Sequence, residues 1–475
     1  MKLFILSVCL LILGYLIYGR IVEKVFGASQ SRRTPAVKHN DGIDYVPMPV
    51  WKIFLIQFLN IAGLGPVFGA VLGAVYGPAC LLWIVFGSIF AGGVHDYMTG
   101  MFSLRYKGCT MDFLIEKVLN KRIKLLFSLF LIVILILVGA VFALNPAKML
   151  ADIFHSEYIV FAVIIFAYYF IATLLPVDKI IGKCYPFFAI LLVTMTVALL
   201  FSLFGLNGDL YHNMGFQNMH PDKTPIFPLM FITIACGAIS GFHSTQSPIM
   251  ARCITNEKDG RKIFYGAMIF EGFIALVWAT LGITFNDNSQ SLLAAVQKLG
   301  QGGVVAEISR ALLGPIGSKL TVLSVVILSI TSGDTAFRSA RLTIANLLKY
   351  NQTKIFNRLL LSLAVLIVGI AFTMVDITVL WMYFAWANQT LGMITLWAIS
   401  VYLRRKKRFY PVTLLPAIFM SMVCFTYILH VKIGFNLDLN YSKIIAAALT
   451  CLILSVFFSF KPKRVKFVKE VEKIS

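Results

Sequence analysis

The chain has 475 residues, of which 59% are hydrophobic and 13% are charged, and its mean hydropathy is +0.85. A soluble globular protein carries about 25% charged residues, because its whole surface must be hydrated. The composition therefore excludes a disordered chain and a water-soluble enzyme, and it indicates a protein that is largely surrounded by lipid. The formal net charge of +21 would fit nucleic-acid binding only if the basic residues were not confined to short loops.

The sequence contains no motif that predicts a metal centre or a catalytic site. Its eight cysteines are dispersed, without the CxxC or Cys/His spacing of a metal site, and most of them lie in apolar stretches. The motifs HExxH, GxSxG and GxxxxGK[ST] do not occur. We therefore expect buried free thiols, no metal, no cofactor and no enzymatic activity.

Thirteen stretches are apolar over about the 20 residues that a helix needs to cross the hydrocarbon core. The first could instead be a signal peptide, but its amino-terminal region carries only Lys2 and no small-residue cleavage site follows. We predict an all-α polytopic membrane protein of about 13 transmembrane helices, with the first retained. The predicted spans are 2–19, 51–76, 78–104, 125–145, 157–176, 184–206, 226–250, 262–285, 319–341, 358–375, 377–402, 411–430 and 442–460.

Lysine and arginine are divided very unequally between alternate loops. One set of loops, which includes the tail, contains 34 of the 42 basic residues, and the other side has only eight. Since cytoplasmic loops carry the excess of basic residues, the amino terminus is predicted outside and the carboxyl terminus in the cytoplasm. The basic charge then reports topology and attraction to anionic membrane lipid, and it excludes nucleic acid as the partner.

Two of the spans contain a glycine-rich interruption. The first runs from Asn60 through Gly63, Gly65 and Pro66, and the second runs from Cys236 to Pro248. Proline removes a backbone donor and glycine lowers the cost of unwinding, so both patterns indicate broken helices. The alternative is that the glycines only allow neighbouring helices to pack closely. Broken helices in a bilayer usually line a binding site, because their freed backbone groups need partners.

The positions of the two interruptions favour an inverted repeat. With the first span set aside as peripheral, the broken helices are the first and sixth of twelve, and they start on opposite sides of the membrane. This arrangement is typical of secondary transporters with a LeuT-like (APC-type) core of two inverted five-helix repeats. The link 286–318 is partly amphipathic, as an outer lid would be. The predicted divisions are a peripheral helix and cytoplasmic loop (1–50), a first repeat (51–206), an inverted second repeat (226–402), two additional helices (411–460) and a basic cytoplasmic tail (461–475).

Polar groups at the two breaks are candidate ligands for a substrate. The free N–H groups and positive dipole ends at the start of the half-helices suit a carboxylate. For His243 the alternative is a histidine satisfied inside the core. The predicted substrate-binding residues are Gln57, Asn60, Gly63, Gly65, Ser240, Gly241, His243, Ser244 and Gln246.

Three acids lie inside predicted spans, where a charge costs about 2.5 kcal/mol or more and needs a partner or a task. We predict Asp96 and Arg338 as gating or ion-pair residues, with a structural ion-pair layer as the alternative. The coupling cation is a proton or sodium, and we favour the proton, carried by Asp334, or by Glu271 if Arg338 pairs with Asp334. Packing hydroxyls are the alternative for the cation site. The predicted ion-coupling residues are Ile61, Ala62, Glu271, Thr331, Ser332, Asp334 and Thr335.

Seven blocks of the sequence resemble the carbon starvation protein A family of bacterial inner-membrane transporters. The resemblance implies multi-pass location in the inner membrane and uptake of peptides or pyruvate during carbon starvation; it assigns no site residue. This chain looks like the shorter members, which lack extra carboxyl-terminal helices. The blocks are 41–47 (DGIDYVP), 61–66 (IAGLGP), 92–96 (GGVHD), 240–253 (SGFHSTQSPIMARC), 264–271 (FYGAMIFE), 331–341 (TSGDTAFRSAR) and 384–391 (FAWANQTL).

Two functions from different classes remain. The first is a secondary active transporter, a cation symporter for a small carboxylate-bearing nutrient such as a short peptide or pyruvate. The second is a membrane sensor or scaffold that binds the nutrient without transporting it. The longest predicted loops, 31 and 33 residues, are short for a folded output domain, which favours transport. The sequence leaves the oligomeric state open.

Overall fold

The secondary structure follows the apolar pattern of the sequence, because a helix satisfies its own backbone groups in lipid. A computed structural model describes residues 2–40, 45–172, 177–205, 215–285, 288–352 and 354–459. The predicted basic tail and part of the 41–47 block lie outside these residues. The described chain is all-α and contains no strand, only one isolated β-bridge between Arg33 and Asn256.

The described chain forms seventeen helices. They are α1 (Lys2–Phe26), α2 (Pro35–Lys38), α3 (Val50–Ala62), α4 (Gly65–Ala74), α5 (Ala79–Arg105), α6 (Met111–Val118), α7 (Lys121–Phe154), α8 (Tyr158–Ala172), α9 (Val177–Gly205), α10 (226–234), α11 (His243–Ala251), α12 (Glu257–Phe285), α13 (Ser289–Leu348), α14 (Ile355–Phe372), α15 (Ile377–Arg405), α16 (Pro411–His430) and α17 (Leu439–Ser459).

The helices confirm the predicted fold class. By length and composition, nine helices of the described chain can each cross a membrane, or ten if the bent pair α3 and α4 counts as one span. The other three of the thirteen predicted spans are helical too. Helix α8 has 15 residues, α10 and α11 are separated by the second break, and α15 carries Asn388 and Gln389 near its centre.

The predicted link 286–318 is mostly helical, as the first part of the 60-residue α13. Gly300 and Gly314 interrupt it with φ of +70°, a conformation that favours glycine, so the helix is kinked at both positions. Asn288 caps its start through a hydrogen bond from the Ser291 N–H at 2.9 Å. The role of this stretch as an outer lid stays a prediction.

Burial separates a central group of helices from a lipid-facing periphery. Each membrane helix has a most apolar stretch of 18 residues. In α1, α14 and α17, 22% of the residues in that stretch are buried, whereas in α5 83% are buried. The large apolar side chains that the outer helices expose, such as Phe201 and Phe356, form a surface that lipid would cover. At the centre, α11 packs on α5 and α3, and α12 packs on α3 and α4.

Candidate functional site

The first break is a sharp bend between α3 and α4. The two helices meet at 59°, and Gly63 at the junction has φ of +43°. A Cβ atom at Gly63 would lie 2.8 Å from Cζ of Phe142, so both the backbone conformation and the space require glycine. The glycine is therefore a condition of the bend and not only of close helix packing.

The second break, between α10 and α11, is held by hydrogen bonds to other helices. Asn388 of α15 accepts the Gly241 N–H on its backbone carbonyl at 3.1 Å and the Phe242 N–H on Oδ1 at 2.8 Å. The Ser88 hydroxyl of α5 donates to the Gly237 carbonyl at 3.1 Å. Backbone groups that the unwinding frees are thus satisfied inside the protein, as they must be within a membrane.

The two breaks pack directly against each other. A Cβ atom on Gly65 would lie 2.2 Å from Cβ of Cys236, and one on Gly69 would lie 2.7 Å from the carbonyl oxygen of Ile234. Such distances mean that the two backbones touch with no room for a side chain. The glycines after the first bend therefore bring the two interrupted helices together.

Several N–H groups at the start of the half-helices donate hydrogen bonds within the breaks. Ser244 N–H donates to the Gly241 carbonyl at 3.1 Å, and Thr245 N–H donates to the Phe242 carbonyl at 2.9 Å. At the start of α4, Phe68 N–H donates to the Leu64 carbonyl at 2.8 Å. Tight turns at both breaks use these donors, so they are not free for a substrate carboxylate in this conformation.

Two buried amides on α3 have no hydrogen-bond partner in the part of the chain that the structure describes. Gln57 and Asn60 are 0% exposed, and none of their four side-chain N and O atoms has a hydrogen-bond partner among the described residues. They are three residues apart on one helix and so share a face. Oε1 of Gln246 on α11 and Oγ of Ser332 on α13 are also buried without a hydrogen-bond partner among the described residues. Each unpaired buried group costs about 1–3 kcal/mol, which a bound ligand can offset.

A His–carboxylate cluster of four fully buried residues joins α5, α11 and α12. Asp96 is at its centre: Oδ1 lies 2.8 Å from Nδ1 of His95, and Oδ2 lies 2.8 Å from Nδ1 of His243. On its other side, Nε2 of His243 lies 3.5 Å from Oε2 of Glu271. All four residues are 0% exposed, so the cluster is closed to solvent in this conformation.

The geometry of the His–carboxylate cluster allows one proton to occupy two positions. An ionised Asp96 is satisfied when both histidines donate from Nδ1, which leaves Nε2 of a neutral His243 as an acceptor. A proton shared with Glu271 can then sit on the carboxyl group or on Nε2. The 3.5 Å separation exceeds the 2.7–3.2 Å of an N–H···O bond, so transfer requires a small approach or a bridging water. In the described part of the chain no group of three or more His, Cys, Asp or Glu side chains is arranged to hold a metal ion.

Asp334 and Arg338 form a separate ion pair on α13. Nη2 of Arg338 lies 3.4 Å from Oδ2 of Asp334 and donates to the Ala172 carbonyl at 3.0 Å. Both oxygens of Asp96 face histidines instead, so Asp96 and Arg338 belong to different clusters and do not form one gate pair. Under the alternative that the sequence left open, pairing of Arg338 with Asp334 makes Glu271 the candidate proton carrier.

Two of the three hydroxyl groups predicted for a cation site donate to carbonyls of their own helix. Thr331 donates to the Leu328 carbonyl and Thr335 donates to the Ser332 carbonyl, each at 2.9 Å. Their oxygen lone pairs stay available to a cation, and α13 packs against α3 and α4. The roles of Ile61, Ala62, Thr331, Ser332 and Thr335 stay predictions.

Other predicted residues hold the second break in shape. Ser240 hydrogen-bonds with the Asn388 side chain, and Ser244 donates to the Gly241 carbonyl at 2.6 Å. Asn388 and His95 were not predicted as site residues. The signals for them are present in the sequence: a polar run in the middle of an apolar span, and a histidine beside an intramembrane aspartate.

Comparison with known proteins places this arrangement in a family. The family model described as "Carbon starvation protein CstA" matches residues 1–161, 144–301 and 286–427. An uncharacterized membrane protein of Haemophilus influenzae is 45% identical over 346 residues, which cover 62% of this chain and 93% of that protein. The Escherichia coli pyruvate/proton symporter BtsT is 31% identical over 344 residues, 57% of this chain and 47% of that protein.

A third relative is the peptide transporter CstA of Campylobacter jejuni, 30% identical over 363 residues, 60% of this chain and 51% of that protein. The chain thus spans about half the length of the curated relatives with a named transport activity.

Two solved transporter structures share the fold at low sequence identity. A mutant of the Eremococcus coleocola manganese transporter has a TM-score of 0.61 and 12% identity, and the match covers 88% of this chain and 97% of that one. MhsT in complex with L-phenylalanine has a TM-score of 0.56 and 13% identity over 87% and 99% of the two chains. The described chain therefore has the LeuT-like fold.

Proposed function

Since this chain belongs to the carbon starvation protein CstA family, we propose that it is a secondary active transporter for a small carboxylate-bearing nutrient. The candidate substrates are short peptides and pyruvate, because the names of its relatives include a peptide transporter and a pyruvate/proton symporter. The observation that carries the proposal is the pair of unpartnered amides, Gln57 and Asn60, buried on the helix that ends at the first break.

The amides fit the recognition of a carboxylate better than the helix ends do. An amide NH₂ group donates two hydrogen bonds, so Gln57 and Asn60 together offer four donors to carboxylate oxygens. Their carbonyl oxygens can accept from the amino group of a peptide. Both candidate substrates carry a carboxylate, so this chemistry is common to them.

We propose the proton as the coupling ion, with Glu271 and His243 as the groups that carry it. Their side chains face each other at 3.5 Å in a fully buried site, and His243 lies on the half-helix that follows the second break. A proton bound to Glu271 neutralises its buried carboxylate. Because His243 lies on the half-helix after the second break, proton binding is linked to the conformation of that break. A sodium ion bound by the α13 hydroxyls is the second candidate, supported by the unpartnered Oγ of Ser332.

The proposed orientation in the bacterial inner membrane follows the basic loops. The basic ends of α5 and α15 and the start of α12 line one cavity and therefore lie on one side, which we place in the cytoplasm. This orientation puts the amino terminus outside and the carboxyl terminus in the cytoplasm. It also makes the basic loops the part of the protein that contacts anionic lipid.

The direct test is uptake into proteoliposomes that contain the purified full-length chain. Labelled pyruvate and a labelled dipeptide are supplied separately, each with an imposed proton gradient, an imposed sodium gradient or none. We expect accumulation of one substrate class above its external concentration with the proton gradient only. Binding of a substrate without accumulation under any gradient would contradict transport and support a sensor or scaffold.

Removing the amides should weaken substrate binding more than turnover. For Gln57→Leu and Asn60→Leu we expect a KM about tenfold higher or more, because a hydrogen bond to a charged group contributes about 1.5–3 kcal/mol. The matched control is Gln301→Leu, because Gln301 lies on the first part of α13, in a pocket whose lining contains no residue of either break. Unchanged KM values in both α3 variants would place the substrate elsewhere.

A further inference from the structure

A second candidate site is a basic cavity of about 490 Å³ between the ends of α1, α5 and α15 and the start of α12. Its described lining contains seven lysine and arginine side chains and one carboxylate, Glu257. Asp41 and Asp44, in the segment 41–44 that follows in the sequence, are outside the described residues. If both negative charges are added to that of Glu257, the seven positive charges of the lining are still in excess. Cations therefore outnumber carboxylates on the described lining of the basic cavity.

The single carboxylate is already committed to two of these cations. Glu257 is 1% exposed; its Oε1 accepts from Nη1 of Arg32 at 2.9 Å and from Nε of Arg105 at 2.7 Å. Burial and the nearby Arg105 guanidinium hold the pKa of Lys406 below its ordinary value. Neighbouring positive charges repel one another, which destabilises the folded protein here, and a bound anion would reduce this repulsion.

A buried hydroxyl group gives an independent sign of a ligand. Thr34 lines the basic cavity and is 2% exposed, and its Oγ1 has no hydrogen-bond partner among the described residues. Although Thr34 precedes α2, its side chain does not cap that helix. Within the described part of the chain this hydroxyl is thus a donor without an acceptor, and it lies beside several cations.

We propose that the basic cavity binds a phosphate-bearing anion. A phosphate group offers several acceptor oxygens, which suit guanidinium groups such as Arg33 and Arg408, the ammonium of Lys38 and the Thr34 hydroxyl. The phosphate belongs either to a soluble compound or to the headgroup of an anionic phospholipid, since the basic cavity lies at the ends of membrane helices. In both cases it joins α5 to α12, the helices that carry Asp96 and Glu271.

The test measures binding as thermal stabilisation of the purified full-length chain, because a ligand of the folded state raises its unfolding temperature. One arm compares inorganic phosphate with chloride at equal ionic strength in detergent. The other compares nanodiscs of phosphatidylglycerol with nanodiscs of phosphatidylcholine. Stabilisation by phosphate in detergent would identify a soluble ligand, and stabilisation only by phosphatidylglycerol would identify a lipid headgroup.

Variants decide whether the effect arises in the basic cavity. We expect Lys38→Gln combined with Arg408→Gln to weaken binding at least about tenfold, and the nearly isosteric Thr34→Val to weaken it severalfold while folding normally. Lys354→Gln, an exposed lysine outside the cavity lining, should bind as the wild type does. The proposal is overturned if neither arm stabilises the wild type, or if all variants respond equally.

Discussion

Replacing Glu271 with glutamine should abolish proton-driven accumulation of substrate and leave exchange of internal for external substrate intact. The amide keeps the size of the side chain but cannot take up and release a proton beside His243. Exchange at equal substrate concentrations needs no net proton movement, so it should continue. The measurement is uptake into proteoliposomes with an imposed proton gradient, followed by counterflow of labelled substrate in the same preparation.

Two control variants separate proton carriage from structural ion pairing. Asp334→Asn leaves Arg338 without its carboxylate, and loss of one partner of a buried pair costs about 3–5 kcal/mol. We therefore expect it to reduce accumulation and exchange together. Glu307→Gln, at an exposed position of α13, should behave as the wild type. Proton-driven accumulation that survives in Glu271→Gln would contradict Glu271 as the proton carrier. Accumulation by the wild type with a sodium gradient alone would instead favour sodium as the coupling ion.

Replacing Gly65 with alanine should eliminate transport, because its Cβ would lie 2.2 Å from Cβ of Cys236. The two broken helices would have to separate, and overpacking of this kind costs about 1–3 kcal/mol. The separation would act on both breaks at once, since they touch at this point. We expect a lower unfolding temperature and uptake near background, measured on matched amounts of purified protein.

A second substitution provides the rescue. With Cys236→Gly added, the nearest remaining atom is Cα of residue 236, 3.2 Å from the new methyl group, so most of the clash disappears. The double variant should recover uptake and stability relative to Gly65→Ala, whereas Cys236→Gly alone should be close to wild type. Failure of the rescue, with normal Cys236→Gly, would show that Gly65 matters for another reason than this contact.

The two breaks differ in how far the sequence predicts their structure. At Gly63 and Gly65 the local pattern is sufficient, because glycine before proline weakens a helix whatever packs around it. At Ser240 and Gly241 the pattern predicts a break but does not predict which groups hydrogen-bond with it. Their polar groups are taken by Asn388, which is 148 residues from Ser240, so Ser240 serves the shape of the break.

The sequence by itself determined the membrane class, the helical spans and the positions of both breaks. These features depend on local composition: apolar length sets a span, and glycine with proline sets an interruption. Only the tertiary structure decided which acid pairs with which base. Asp96 meets His243 across 147 residues of sequence, while Asp334 pairs within its own helix. Sequence spacing predicts neighbours along one helix, but contacts between helices depend on how they pack.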